Sequence, residues 1–338
     1  MLEHRRRLTF LALCLCCAGA GAAQVAPGGA ASPHAAKKDS QDALAGKSAA
    51  VSLRAAIQDL MAAYGAGYPR GAEFLERLKR AENGLLAQRA EDLQQARADF
   101  AALQKEALIG NPLVSGQPIL FVVRNQYKPD HHNTETMFQT GEINTGSFQG
   151  GGALKTIDFG HSAVLQTLWE SARGLARDPD VHFDGRKIIL SIRKDITEDY
   201  HVCEINSDGT GLRQLTAAHG VFDIDPLYLP DDSIVFTSSR EPKYCMCNRH
   251  IMGNLFRMDP DGANIRQIGK NTLHEGHGRL MPDGRILYDR WEYVDRNFGD
   301  GQGLWTVNPD GTNHALYWKN NTGSPGAALE GRVIPGTA

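Results

Sequence analysis

The sequence predicts a mainly β protein, a partial β-propeller preceded by a small α-helical segment. A turn returns three times: Asn206-Ser207-Asp208-Gly209-Thr210, Asp259-Pro260-Asp261-Gly262-Ala263 and Asn308-Pro309-Asp310-Gly311-Thr312. Each copy follows a short apolar run, and an Asp-Gly pair supplies the positive backbone angles that a tight hairpin needs. From Gly209 to Gly262 is 53 residues and from Gly262 to Gly311 is 49, a period that suits four short strands and one long loop, the size of a propeller blade. A strand upstream of each turn ends in an arginine: Ile188 to Arg193, Ile234 to Arg240 and Ile286 to Arg290. A more divergent copy runs from Ile119 to Arg124 and, after a long loop, from Leu154 to Asp158, making four repeats. Gly331 to Pro335 reads as the first strand of a fifth, so an incomplete ring is expected over residues 115–338.

Residues 1–23 read as a secretory signal: Arg5-Arg6-Arg7, an apolar run from Leu8 to Ala18 too short to span a bilayer, then small residues for cleavage. Residues 24–47 are rich in Ala, Gly, Ser and Lys with almost no large apolar side chains, which predicts a disordered linker. The helical segment occupies residues 48–110. Leu53, Ile57, Leu60, Met61 and Tyr64 recur at helical spacing, Gly65, Gly67 and Pro69 break the pattern, and further helices are expected over 72–82 and 85–108. In the third, Leu86, Leu93, Phe100, Leu103 and Leu108 share a face.

The composition, 41% hydrophobic and 22% charged in 338 residues, is that of an ordinary globular chain. Removing residues 1–23 takes out three arginines and Glu3, a net of +2, so the formal charge moves from -3 to -5. No basic patch points to nucleic acid, and no span for a membrane remains after cleavage. The same cut removes Cys14, Cys16 and Cys17 and leaves Cys203, Cys245 and Cys247. An odd count in an exported protein leaves at least one thiol free, metal-bound or paired with another chain.

Blade geometry groups the chemistry. Loops after each repeated arginine and the blade-to-blade connections emerge on one face, and the Asp-Gly turns emerge on the other. The first face therefore collects Asp130, His131 and His132, Cys245, Cys247 and His250, His219, and His274 and His277. Cys245, Cys247, His250, His274 and His277 are ligand types that suit zinc or another transition metal. Cys203 sits on an inward strand position, while Lys243, Arg249 and His250 surround the two loop cysteines with positive charge. His274-Glu275-Gly276-His277 is no metalloprotease helix, because its histidines are three apart and lead into a strand. Arg193, Arg240 and Arg290 are ligand-face candidates too, although their recurrence points first to ion pairs between blades. Gly150-Gly151-Gly152 precedes a strand, so it is no phosphate cradle.

The segments Asp225-Pro226-Leu227-Tyr228-Leu229-Pro230-Asp231-Asp232 and Met281-Pro282-Asp283-Gly284-Arg285-Ile286-Leu287 resemble the repeats of TolB-type propellers. His131-His132-Asn133-Thr134, Gly150 to Thr156 and Lys243 to His250 resemble the middle domain of hydrazine synthase alpha subunits and their secreted relatives. The resemblance covers roughly residues 110 to 338 and implies a propeller of larger blade number. The chain has no Cys-x-x-Cys-His for covalent haem attachment, which departs from the enzyme. The expected function is an exported binding or scaffold propeller, periplasmic or secreted, with protein partners in the envelope and a Cys/His face for a metal. The alternative is a metal- or haem-associated redox enzyme subunit.

Overall fold

The computed structural model describes residues 33–87, 89–125, 148–244, 251–293, 295–296, 300–319, 322, 324 and 326–334. The chain divides into two units, one helical up to Ile119 with residues 157–165, the other β and built from residues 120–156 and 166 onward.

The helical unit holds α1 (Pro33–Tyr64), α2 (Gly71–Gly84), α3 (Ala90–Ile109) and a short α4 (Pro112–Ser115). Leu53, Ile57 and Leu60 are buried together with Phe74, Leu78 and Leu103, and Met61 and Tyr64 pack against them, as the spacing predicts. The Tyr68 hydroxyl donates to the Ala107 carbonyl at 2.8 Å, tying the break after α1 to α3. Two expectations need correction. α1 begins at Pro33, inside the stretch read as a disordered linker; Ala, Lys, Gln and Leu have high intrinsic helix propensity, which a reading based on missing large apolar residues passes over. In α3 the buried positions are Ala96, Leu103 and Ala107, whereas Leu86 precedes the helix and Leu108 is exposed. Small residues let α3 approach its neighbours closely, so its contact face carries less apolar bulk than the leucine pattern implies.

The β unit is a run of antiparallel meanders. Blade one has three strands, β1 (Ile119–Arg124), β2 (Gly152–Asp158) and β3 (Val164–Ser171). Blade two is β4 (Leu175–Val181), β5 (Lys187–Arg193), β6 (His201–Asn206) and β7 (Arg213–Gln214). Blade three is β8 (Asp223–Tyr228), β9 (Ile234–Ser238), β10 (Asn254–Met258) and β11 (Arg266–Gln267). Blade four is β12 (Glu275–Leu280), β13 (Ile286–Trp291), β14 (Gln302–Val307) and β15 (Ala315–Trp318). No sheet closes on itself among the described residues.

Sheets packed on both faces explain the continuous apolar strands. In β5, Ile188, Leu190 and Ile192 join Leu154 and Leu168 of blade one, while Ile189 joins Phe236 and Phe256 of blade three. In β9, Val235 turns to Ile286 and Val307 of blade four. Successive strand residues point to opposite faces, so a strand between two sheets needs apolar side chains at every position. The far ends are stitched by side chains reaching forward to the next blade's Asp-Gly turn: Gln166 to the Asp208 carbonyl at 3.1 Å, Arg213 to Pro260 at 2.9 Å and Arg257 to Pro309 at 3.1 Å.

Candidate functional site

The first strands of blades two, three and four bend at one equivalent place. Its ladder to the second strand slips between Arg177 and Asp180 in β4, between Ile224 and Leu227 in β8, and between Gly276 and Arg279 in β12. The residue in each bulge has a left-handed backbone: Asp178 and Asp225 at φ 52°, His277 at φ 53°. Glu330, the residue before the stretch read as a fifth first strand, repeats it at φ 52°. Pro179, Pro226, Gly278 and Gly331 follow them. Positive φ outside glycine is uncommon, with Asp and His among the residues that tolerate it, and bulges re-aim side chains at rims and sites.

These residues form one chain of contacts across three blades. Arg177 pairs with Asp178, and its Nη2 stands 3.7 Å from Asp225 Oδ1. The Asp225 N–H donates to Asp178 Oδ2 at 3.4 Å, and the His277 N–H donates to Asp225 Oδ2 at 3.3 Å. His277 Nδ1 meets Asp289 Oδ2 at 2.6 Å, and both Asp289 oxygens accept the Glu330 N–H, at 3.0 and 2.8 Å. His277 Nε2 faces Asp225 Oδ2 at 4.0 Å and Glu330 Oε1 at 3.8 Å.

Burial sets the charges. Burial works against the imidazolium of His277, but Asp225 and Asp289 outweigh it and push the group up to about 9, so it is cationic at neutral pH. Burial and then the Asp178 carboxylate push Asp225 up to about 6. Burial would raise Asp178 as well, but Arg177 beside it outweighs that and holds it well below the usual range. His274 is driven well below its ordinary value by burial and then by His277, and is neutral.

Placed on this frame, the candidate residues separate. His274 and His277 lie at the head of β12 and inside it, not in a free connection, with ring centres 6.5 Å apart. Asp223 and Asp225 belong to β8, after the connection from blade two. His219 is in that connection with its side chain 99% exposed. The arginines pair within a blade, not between blades: Arg240 with Asp223 across β8 and β9 at 2.8 Å, and Arg290 with Glu275 across β12 and β13 at 3.9 Å and with Glu292 at 3.0 Å. Arg193 donates instead to the carbonyls of Asp195, Ile196 and Glu198 in its own loop.

Asp130, His131, His132, Cys245, Cys247 and His250 lie outside the described residues. The anchors of the second group are described. Tyr244 bridges Ile251, the Met252 N–H donates to the Lys243 carbonyl at 3.0 Å, and the Gly253 N–H meets His274 Nδ1 at 3.4 Å. Among the described residues no group of three or more His, Cys, Asp or Glu is arranged to hold a metal ion. In the helical unit a cleft of about 600 Å³ is lined by Tyr68, Arg70, Phe74 and Lys105, but Arg70 is already paired with Glu73 and Glu106 at 2.7 and 3.1 Å.

Asp178, Asp289 and Glu330 escape the sequence reading as site residues, and Asp225 enters it only as the start of a TolB-like repeat segment. The available signal is an acid or histidine followed by Pro or Gly once per blade, at steps of 47, 52 and 53 residues from Asp178 to Asp225 to His277 to Glu330. Cys203 meets its expectation: it is buried, and burial pushes its thiol up to about 12. It is expected to stay unlabelled by a thiol reagent in the folded protein and to react once the chain is unfolded. Mass spectrometry of digested, labelled protein checks this, and native-state labelling of Cys203 would refute it.

No protein-family profile and no curated protein matches the chain. Among solved structures it is similar to Kuenenia stuttgartiensis hydrazine synthase, 22% identical over 51% of this chain and 28% of that one, TM-score 0.46. It is also similar to a putative TolB from Agrobacterium tumefaciens, 16% identical over 49% and 56%, TM-score 0.40, and to TolB from Acinetobacter baumannii, 13% over 49% and 37%, TM-score 0.38. The chain thus spans between about a quarter and a little over half of these proteins' lengths.

Proposed function

We propose that this chain is an exported binding or scaffold propeller whose working face is the one carrying the loops after the repeated arginines and the blade connections. The observation that carries it is the recurrence of a polar, left-handed residue at the same point of three successive first strands, Asp178, Asp225 and His277, where a purely structural strand would continue its ladder, repeated by Glu330 after blade four. Export rests on residues 1–23, and a periplasmic or secreted setting with protein partners in the envelope follows from it. Among the described residues no helix is long and apolar enough to cross a membrane.

A photo-crosslinking amino acid in place of His219 is expected to yield a discrete protein adduct in the producing cell. The same substitution at Asp310, in a turn at the other end, should not. Adducts at Asp310 but not at His219 would refute the assignment of the face.

The second reading is a metal at the Cys/His loop, with Cys245, Cys247 and His250 joined by His274; Asp130, His131 and His132 remain candidates for the same face. It is supported by the loop's anchors lying against a neutral imidazole, the form that ligates. Elemental analysis of the purified protein is expected to find zinc or another transition metal in stoichiometric amount, lost in the Cys245→Ser, Cys247→Ser double variant. Metal-free protein would leave the binding propeller and remove this reading, together with the redox alternative built on it.

A further inference from the structure

We infer that His182 and Asp232 form a proton-operated clamp between blades two and three, at the end of the propeller opposite the proposed working face. The inference stands independently of what the propeller binds. It rests on two departures from the repeat that meet in space. The turn between first and second strands recurs as His182-Phe183-Asp184-Gly185, Leu229-Pro230-Asp231-Asp232 and Met281-Pro282-Asp283-Gly284. In each copy the N–H of the fourth residue donates to the carbonyl of the first, at 2.8, 2.9 and 3.0 Å. That fourth residue has a left-handed backbone, with φ 72° at Gly185, 66° at Asp232 and 88° at Gly284. Glycine adopts such an angle freely, so aspartate is the strained choice there. His182, in turn, stands where the other two blades place the apolar Leu229 and Met281. The two exceptions touch across the seam, with His182 Nε2 at 2.9 Å from Asp232 Oδ1. The Arg186 carbonyl accepts the Ser207 N–H at 2.8 Å, which sets this turn beside the Asp208-Gly209 turn.

The imidazole is largely enclosed, its side chain 17% exposed, with the Tyr228 ring edge-on at 4.8 Å and Phe183 at 5.8 Å. Its own turn brings Asp184, whose Oδ1 lies 2.9 Å from Nδ1, and Arg186, whose N–H donates to that same oxygen at 2.8 Å. β4 brings Asp180, which accepts the Tyr228 N–H, and β5 brings Lys187, paired with Glu204 at 3.5 Å. Blade three brings Asp232, Asp231 with its partner Arg257, and Tyr228, whose hydroxyl donates to Glu204 at 2.9 Å. As a cation the ring donates from both nitrogens, to Asp232 in the next blade and to Asp184 in its own turn. A neutral ring keeps one hydrogen. Its Nε2–H still reaches Asp232 but without charge, and its Nδ1 becomes an acceptor for the Asp184 N–H at 3.4 Å. A charge-assisted hydrogen bond is roughly twice as strong as a neutral one, so the seam slackens with the loss of the proton. Partial burial works against the cation, but Asp232 and then Asp184 outweigh it and raise the group above its ordinary 6.5. The contribution of His182 to stability is therefore complete below 6.5 and is lost as pH rises through the higher, folded value.

The test is an NMR titration of His182 in the full chain, its imidazole signal assigned by its disappearance in His182→Leu. The wild-type midpoint is expected above 6.5. Asp232→Asn tolerates the left-handed backbone but removes the charge across the seam, and should lower the midpoint. Asp232→Gly restores the residue of the other two turns and should lower it too. Melting temperature gives a second readout. Between about pH 6 and about pH 8 the wild type should lose more of it than His182→Leu or Asp232→Gly, and the excess loss should follow the NMR titration of His182. A wild-type midpoint at or below 6.5, or one unmoved in Asp232→Asn, would overturn the inference. If Asp232→Asn does not fold, an unmoved midpoint in Asp232→Gly would overturn it just as well, as would the same pH dependence of melting in the wild type and His182→Leu.

Discussion

Arg193→Met is expected to destabilise the protein by about 4 kcal/mol, among the largest effects a single substitution here can have. Arg193 is 1% exposed at the end of β5. Its Nε donates to the carbonyls of Glu198 at 2.7 Å and Asp195 at 3.2 Å, and its Nη2 donates to Ile196 at 2.6 Å. The guanidinium lies over the Phe148 ring at 4.2 Å and near Tyr200 and Phe222, both at 5.9 Å. Methionine keeps the length and apolar stem but removes every donor, leaving carbonyls that cost about 1–3 kcal/mol each where they stay dry, together with about 2 kcal/mol of cation–π attraction. Water reaching the loop offsets part of that sum, since Ile196 is exposed. The comparison is Arg173→Met, whose side chain is 80% exposed and pairs with Asp195 in the same loop; an exposed pair of that kind contributes under about 1 kcal/mol. Urea unfolding of both variants measures the difference, and equal midpoints would show that Arg193 is a surface charge.

The contrast between these arginines shows how far sequence reading reaches. The repeat is legible because its signals are local: an Asp-Gly pair encodes a turn by itself, and a strand between two sheets is apolar at every position whatever lies beyond it. The helical stripe from Leu53 to Tyr64 is legible for the same reason. What the repeated arginines touch is not local. Arg240 and Arg290 reach acids that begin the preceding strand, 17 and 15 residues earlier at Asp223 and Glu275, whereas Arg193 turns to carbonyls because β4 offers Leu175 opposite it. One recurring residue thus has two jobs, and spacing cannot separate them.

The candidate site was half visible. His274 and His277 stand out because histidine is rare and chemically suggestive. Asp178 looks like any strand acid until its bulge brings it to the Asp225 amide, and Asp289, inside β13, until the bulge of β12 brings His277 to it. A bulge depends on register with a neighbouring strand, which the first strand does not announce except through the Pro or Gly that follows. The placement of His277 between Asp225 and Asp289 changes its chemistry as well: the acids hold it as a cation, a form that does not ligate a metal. His274, three residues earlier, is neutral. Two histidines that share a motif in the sequence are therefore electrostatically opposite in the fold.

Alanine substitutions at four turn glycines are expected to rank by the backbone they meet rather than by the turn they occupy. Gly209, Gly262, Gly284 and Gly311 all have φ between 88° and 91°, so each substitution carries the strain of an L-residue in a left-handed conformation, about 1–2 kcal/mol. At Gly284 an added Cβ meets nothing within 4 Å, and that strain is the whole cost. At the other three it runs into the preceding blade: 3.1 Å from the Leu168 carbonyl oxygen for Gly209, 2.9 Å from Ile268 for Gly311 and 2.5 Å from Leu215 for Gly262. Overpacking against backbone adds about 1–3 kcal/mol, because a main chain held in a sheet has no rotamer to retreat into. Gly262→Ala should therefore be the most damaging, at about 4 kcal/mol in total, followed by Gly311→Ala, Gly209→Ala and Gly284→Ala. The turns in the first three positions serve two ends at once, closing their own hairpin and leaving room for the blade before it. Chemical denaturation of the four variants gives the order. If Gly284→Ala proved as destabilising as Gly262→Ala, backbone strain alone would account for the glycines, and the blades would not be in contact at their turns.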